Sequence, residues 1–295
     1  MKTLTVFTPS YNRAYCLHHC YESLKRQSSQ DFTWLIIDDG STDTTKQLVA
    51  SWMNEKVIDI KYMWQENQGM HGAHNTAYAH IETELNVCID SDDFMPDDAV
   101  EKIVRFWKQH GNEKVCGLVG LDAFTDGRII GSELPKQQQT STLFDLYHRH
   151  GVSGDKKLVY RTELTKKYPY PLFEEERYVG LAYKYFMLDQ SYELLLLNEV
   201  LCVVEYLPDG SSNNMLSQYK KNPKGFAFYR KALMTLPQAG VSFKFRQAIH
   251  YVSSSLLSKN RHFLKESPAK GLTVLAWPFG FLLTRYIKRK TSLQA

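Results

Sequence analysis

Three carboxylates stand within four residues at Asp90, Asp92 and Asp93, directly after the apolar run Val87, Cys88, Ile89 and shortly before Pro96. Acids this close repel one another unless a cation or a hydrogen-bonded partner compensates. Hard divalent ions take oxygen ligands, and Mg²⁺ is commonly held by one or two carboxylates together with substrate phosphates. The residue types and spacing therefore point to a metal–diphosphate site. An acidic loop capping the next helix, residues 97–110, is the plainer alternative. A second acidic pair, Asp38 and Asp39, precedes Gly40, Ser41, Thr42 and Asp43. Helix capping accounts for Ser41 to Asp43, but not for two acids ahead of the glycine. A carboxylate there can accept hydrogen bonds from a uracil N–H or from ribose hydroxyls. Pro9 and Tyr11 follow the first apolar run, where Tyr11 can stack on a base or simply stand at a rim.

The elements that must position these groups alternate. Residues 4–8, 32–37, 58–63 and 87–89 read as strands, and 14–27, the stretch to 53, 73–80 and 97–110 as helices. Such alternation implies right-handed crossovers and an α/β fold with a mostly parallel sheet. Each polar cluster then falls at the carboxyl end of a strand, and the clusters converge on one crevice. Cys16, His18, His19 and Cys20 sit on one helix. A closed zinc site usually draws ligands from two segments, so they read as a packed helix face.

With these residues in place, the chain resembles the family 2 glycosyltransferases, which have the GT-A nucleotide-diphospho-sugar fold. Four stretches match in order: residues 6–13, containing Thr8, Pro9, Tyr11 and Arg13; 36–43, with Asp38 and Asp39; 67–75, with Gly69 and Asn75; and 89–93, with Asp90, Ser91 and Asp92. The resemblance covers residues 1–210 and implies that these residues bind a nucleoside-diphosphate sugar, usually UDP-linked. It implies that Asp39 meets the base, Asp90 the ribose or sugar, and that Asp92, with Asp90, holds Mn²⁺ or Mg²⁺ on the diphosphate. His74 stands where the family often has arginine.

In the second half, residues 115–121 read as a strand, and Asp126-Gly127 as a hairpin turn into 128–130. Residues 142–150 read as helix and 158–161 as strand. The resemblance places the pair Gly154 and Asp155 near an acceptor pocket, whereas Lys156 reads as part of a turn. Inverting transfer needs a general base for the acceptor hydroxyl. The family places an acid after the acceptor loop, and the Glu-Lys-aromatic pattern registers on Glu176, Arg177 and Tyr178. Glu176 is the first choice and Glu175 the second. Residues 205–214, with glycine and serines, look like the family's lid over the diphosphate. The Gln-x-x-Arg-Trp string of processive members is absent, which implies one sugar per acceptor.

At 295 residues the chain makes one large domain, or one domain plus an appendage. The expected division is a catalytic domain over 1–214, donor half 1–110 and acceptor half 111–214, and a helical region over 215–295. Hydrophobic content of 43% is ordinary, and a net charge of +4 calls for no nucleic-acid partner. Met1 to Leu4 run straight into a strand pattern rather than a leader. Five scattered cysteines suit a reducing cytoplasm. Residues 271–290 are apolar and then basic, too short and too broken by Pro278 and Gly280 to span a bilayer. They suit an anionic membrane surface on the inner face of the cell membrane, against a docked helix or a homodimer contact. The expected activity is inverting, metal-dependent transfer of one sugar to a lipid-linked glycan acceptor in surface or capsular polysaccharide synthesis. A sugar nucleotidyltransferase is the alternative, but it would carry a glycine-rich loop after the first strand, and residues 8–13 hold no glycine. A non-catalytic nucleotide-sugar-binding module is the other; it would lack the metal carboxylates or the base.

Overall fold

The computed structural model describes residues 2–205 and 215–292. The chain divides into two compact units, Met1–Pro169 with Ser191–Leu207, and Tyr170–Gln190 with Pro208–Ala295. The first unit runs β1 (Leu4–Ser10), α1 (Leu17–Lys25), β2 (Phe32–Asp38), α2 (Thr45–Glu55), β3 (Ile60–Trp64), α3 (Met70–His80), β4 (Leu85–Cys88) and α4 (Ala99–His110). It continues with β5 (Val115–Phe124), β6 (Thr140–Ser141), α5 (Leu143–His148), β7 (Lys156–Arg161), α6 (Thr162–Thr165) and β8 (Glu193–Val204).

The eight strands form one sheet in the order β3-β2-β1-β4-β7-β5-β8-β6. Strands β3, β2, β1 and β4 are parallel, as the alternation of elements predicts. Beyond them the sheet is mixed, because β7 runs antiparallel to both β4 and β5. That reversal carries the start of β7 to the sheet end where β4 finishes. Every residue of β1 and β2 is buried, as expected of central strands covered on both faces. On one face Tyr21 of α1 and Trp52 of α2 stack at 4.4 Å, and both lie over Trp34 of β2. Neighbouring side chains of β1 point the opposite way, so Phe7 meets His74 and Tyr78 of α3 at 5.0 and 5.3 Å. The turn at Asp126 and Gly127 forms, with the Phe124 amide donating to Arg128, but a single bridge from Ala123 to Ile129 follows it rather than a strand.

The second unit comprises α7 (Ala182–Leu188), α8 (Met215–Lys221), α9 (Pro223–Thr235), α10 (Val241–Leu257), α11 (Phe263–Glu266) and α12 (Lys270–Ser292). Met234, Ala248, Tyr251, Val252, Phe263 and Ala276 form its core. Helix α12 runs unbroken through Pro278, contrary to the break expected there. A side chain on Gly280 would stand 2.5 Å from Val252 Cβ and 2.9 Å from the Ile249 carbonyl. Without one, α12 lies flush on α10, and that packing offsets the roughly 3 kcal/mol a mid-helix proline costs. The second unit also takes in residues 170–190, which precede the expected boundary at residue 214. The Arg177 amide donates to Asn222 Oδ1 at 2.7 Å, which ties this segment to the start of α9.

Candidate active site

The loops after β1 and β2 are laced together. Asn12 Oδ1 accepts from the Thr42 amide at 2.8 Å, and the Asn12 amide donates to Ser41 Oγ at 2.9 Å. Asn12 itself has φ of 54°, a left-handed conformation asparagine tolerates. Gly40 has φ of 86°, and a Cβ there would meet the Asn67 amide at 2.9 Å. The glycine thus brings the β2 loop against the loop before α3. Asp38 is buried and spends its carboxylate internally, Oδ1 on the Ser41 amide at 2.8 Å and Oδ2 on the Tyr62 hydroxyl at 2.5 Å. Burial and Asp38 both push the Tyr62 phenol up. The carboxylate expected at the donor thus fastens the β2 loop. Thr8, also expected at the donor, is fully buried and its hydroxyl accepts from Trp34 Nε1 at 3.0 Å.

Asp39 Oδ1 accepts from Gln65 Nε2 at 2.6 Å and from the Gln68 amide at 2.9 Å, while Oδ2 accepts from the Gly69 amide at 2.8 Å. It fixes residues 65–69 as they enter α3, so Gly69 is held by the acid with which it was grouped. Pro9 is buried within β1, Tyr11 is half exposed, and Arg13 lies over the Tyr15 ring at 5.7 Å. Asn75 is half-buried on α3. His74 is buried, with Nδ1 3.2 Å from the Tyr78 hydroxyl and Nε2 3.6 Å from Cys88 Sγ. The histidine in the usual arginine position thus packs beneath β4.

At the end of β4 the Asp93 amide donates to the Asp90 carbonyl at 3.0 Å, folding 90–93 into a turn. The turn separates the three acids. Asp90 is exposed and Asp92 half-buried, whereas Asp93 is only 5% exposed. Ser91 is buried beside Cys16, and the Cys16 thiol feels the charges of both Arg13 and Asp92. The loop entering α1 therefore stands beside the triplet. Cys16 and Cys20 are buried while His18 and His19 are exposed, so those four do not converge.

Asp93 faces an internal cluster. Lys157, near the start of β7, is buried and donates to the Cys88 carbonyl at 3.4 Å. Burial would lower its ammonium pKa, but Cys202, Asp122, Asp93 and Asp90 raise it well above the ordinary value. Asp93 is pushed up to about 7 by burial first, with Lys157 opposing and Asp90, Asp92 and Asp122 adding to the rise. Asp122, inside β5, is raised by burial as well. Sequence reasoning passed over Lys157 and Asp122. Asp122 carried a signal, a charged residue within the apolar run 115–124, whereas Lys157 stands beside Lys156 at the polar edge of its strand and carried none.

The residues fit a divalent ion shared with a substrate. Asp90, exposed, and Asp92, half-buried, would offer its oxygen ligands. Among the described residues no group of three or more His, Cys, Asp or Glu side chains gathers around one point. The chain offers only part of a coordination shell, and phosphate oxygens would complete it.

Asp155 is exposed at the head of β7, the same sheet end as the triplet. Lys156 beside it is buried and donates to the carbonyls of Ile130, Ser153 and Asp155, a clamp on the loop. Glu176, in the second unit, is buried. Its Oε1 accepts from the Lys224 amide at 2.9 Å and its Oε2 from the Gly225 amide at 2.8 Å. Both oxygens cap the first turn of α9, a structural task for the glutamate expected as general base. Glu175 is exposed and has φ of 63°. A non-glycine residue held there costs about 1–3 kcal/mol, and such strain clusters at functional sites. In the expected lid, the Glu205 amide lies 3.4 Å from Asp93 Oδ1; residues 206–214 lie outside the described residues.

Comparison with known proteins bears on the family and the fold. The chain is 34% identical over 129 residues to the teichoic acid poly(glycerol phosphate) polymerase of Staphylococcus epidermidis, which covers 43% of this chain and 17% of the polymerase. It is 33% identical over 99 residues to an Escherichia coli chondroitin synthase, covering 33% of this chain and 14% of the synthase. The chain thus spans a minor part of these relatives. Its fold matches that of S. aureus TarS 1–349, solved with UDP-GlcNAc, at a TM-score of 0.65 and 16% identity, over 100% of this chain and 92% of that one. It also matches the mannosyltransferase PcManGT of Pyrobaculum calidifontis, solved with GDP-Man and Mn²⁺, at a TM-score of 0.54 and 16% identity, over 96% and 87%. The family described as Glycosyl transferase family 2 matches residues 5–168, and with the GT-A fold and the strand-end carboxylates in view, this chain belongs to the family 2 glycosyltransferases.

Proposed function

We propose that this chain transfers one sugar, with inversion, from a UDP-linked donor to a lipid-linked glycan acceptor in surface-polysaccharide assembly. The observation that carries the reading is the division of the acidic triplet: Asp90 exposed, Asp92 half-buried, and Asp93 buried against the charge of Lys157. A capping loop has no need of an internal cation, whereas a site for a charged diphosphate gains from carboxylates held in one arrangement. The relatives named above support it, since one is a teichoic acid polymerase and two structural neighbours were solved with sugar nucleotides.

In this reading Asp92 and Asp90 would hold Mn²⁺ or Mg²⁺, and the ion would supply Lewis-acid stabilisation of the leaving diphosphate. Asp39, with residues 65–69 already ordered around it, receives the base, and Tyr11 stacks on it. Asp155 lies on the acceptor side. Glu175 takes the proton of the attacking hydroxyl as the bond to the anomeric carbon forms. A screen of nucleoside-diphosphate sugars, read by release of the nucleoside diphosphate, tests the reading. Metal-dependent turnover with at least one UDP-sugar is expected. Release of pyrophosphate from a sugar phosphate and UTP would replace it with nucleotidyl transfer.

A further inference from the structure

The charge of this chain is segregated. Residues 210–295 carry fifteen Lys and Arg against one acid, Glu266, a net charge of +14. The preceding 209 residues carry twenty-one bases against thirty-one acids, a net charge of −10. The modest total conceals a strongly basic helical unit, and such asymmetry within a chain points to a polyanionic partner.

The last helix of that unit adds an apolar face. Thr273, Ala276, Gly280, Thr284, Ile287 and Thr291 of α12 are buried. The contacts there are small and partly polar: Thr284 Oγ1 lies 3.1 Å from Ser253 Oγ of α10, and Thr273 Oγ1 lies 2.6 Å from Ser267 Oγ. The large apolar residues point the other way. Val274, Leu275, Trp277, Phe279, Leu282 and Tyr286 are 46–64% exposed. At 3.6 residues per turn they span about 200° of the helix circumference. The usual polarity of a surface helix is thus inverted, with its bulky apolar side chains outward. Arg285, Lys288, Arg289 and Lys290 follow, and Arg285 and Arg289 fall in the middle of the same outward arc by that geometry.

We propose that the outward face of α12 seats on an anionic lipid bilayer, with the helix lying in the membrane plane. No described helix is long and apolar enough to cross a membrane, so the helix lies on the surface. Leu, Val, Trp and Phe side chains enter the headgroup boundary to roughly 5–10 Å, and the basic end pairs with lipid phosphates. Two other occupants fit less well. A nucleic acid satisfies the charge but leaves the apolar arc in water. A second copy covers the arc but sets two 210–295 stretches, each of net charge +14, against each other. The inference is independent of the transfer reaction, since its readout involves no donor or acceptor.

Flotation of the full chain with phosphatidylglycerol–phosphatidylcholine vesicles, and with phosphatidylcholine alone, tests it. The chain should float with the anionic vesicles at low salt, and raised salt should weaken the association. Neutralising Arg285, Lys288, Arg289 and Lys290 to Gln should cost roughly fivefold in partition per charge. The double substitution Leu275→Ser and Leu282→Ser should cost about tenfold or more. Both residues are more than 60% exposed, so thermal unfolding should not move. Three results would overturn the proposal: no full-length chain on anionic vesicles at low salt; undiminished binding by the double-serine chain, which would indicate a polyanion site without insertion; or a dimer in sedimentation that the same substitutions disperse, with no vesicle affinity.

Discussion

Glu176 Oε2 accepts a 2.8 Å hydrogen bond from the Gly225 amide, and the other carboxylate oxygen is taken by the amide of Lys224. These are orphan donors of a helix first turn, and an acid there also meets the positive end of the helix dipole. The chemistry usually sought in a glutamate at this point is, at Glu176, spent on holding residues 170–190 to α9.

Glu176→Gln should therefore act on stability. An amide group turned toward two N–H donors can accept only one bond, and the unmet amide costs about 1–3 kcal/mol. Thermal unfolding should move down by several degrees. Glu175→Gln should leave unfolding in place and cost about 10²-fold or more in kcat, with donor affinity retained. Loss of turnover in Glu176→Gln with an unmoved Tm would return the base to Glu176.

Lys157→Met should be among the most damaging single changes in the sheet unit. It leaves Asp93 and Asp122 buried without their cation. Removing one partner of a buried charge cluster costs about 3–5 kcal/mol. Urea unfolding at neutral pH measures it, and a loss under 1 kcal/mol would mean that the cluster is not electrostatically coupled. Adding Asp93→Asn should recover part of the loss, because the two sites share one interaction.

Lys184 gives a pH signature in the helical unit. It is 1% exposed, lies 4.9 Å from the Tyr170 ring centre, and burial lowers its pKa to about 7. Between pH 7 and the unfolded value near 10.5 the unfolded chain binds more protons than the folded one. Stability contributed at this site should therefore rise with pH across that window, and the full cost should be present below it. Lys184→Met should stabilise at pH 7 by on the order of 1–4 kcal/mol, with the gain shrinking toward pH 10. A gain independent of pH would mean that Lys184 is charged throughout.

The donor half was legible in the sequence because its signals are local. Apolar runs of strand length end in acids, and parallel topology then brings those ends together, so the strand-end positions of Asp39 and the 90–93 turn followed from the chain alone. What was missed depends on distant pairing. Lys157 reaches the triplet only because β7 reverses direction between β4 and β5, and no local pattern states that. Thr8 and Asp38 lie in the right stretches but face Trp34 and Tyr62, an outcome set by side-chain direction. The capping role of Glu176 was not legible because an acid before a helix reads alike as base or cap, and its partners lie 48 and 49 residues away. Pro278 was overweighted because local propensity ignores the packing that Gly280 permits.

The most direct test of the account is calorimetric titration of UDP into the wild-type chain and into Asp92→Asn, each with Mn²⁺ and with chelator. Asp92 is half-buried at a turn, so the substitution should leave unfolding unchanged. The account predicts that wild type binds UDP in Mn²⁺, that chelation weakens binding about tenfold or more, and that Asp92→Asn is weak under both conditions. Equal UDP affinity in wild type and Asp92→Asn, unchanged by chelation, would contradict it.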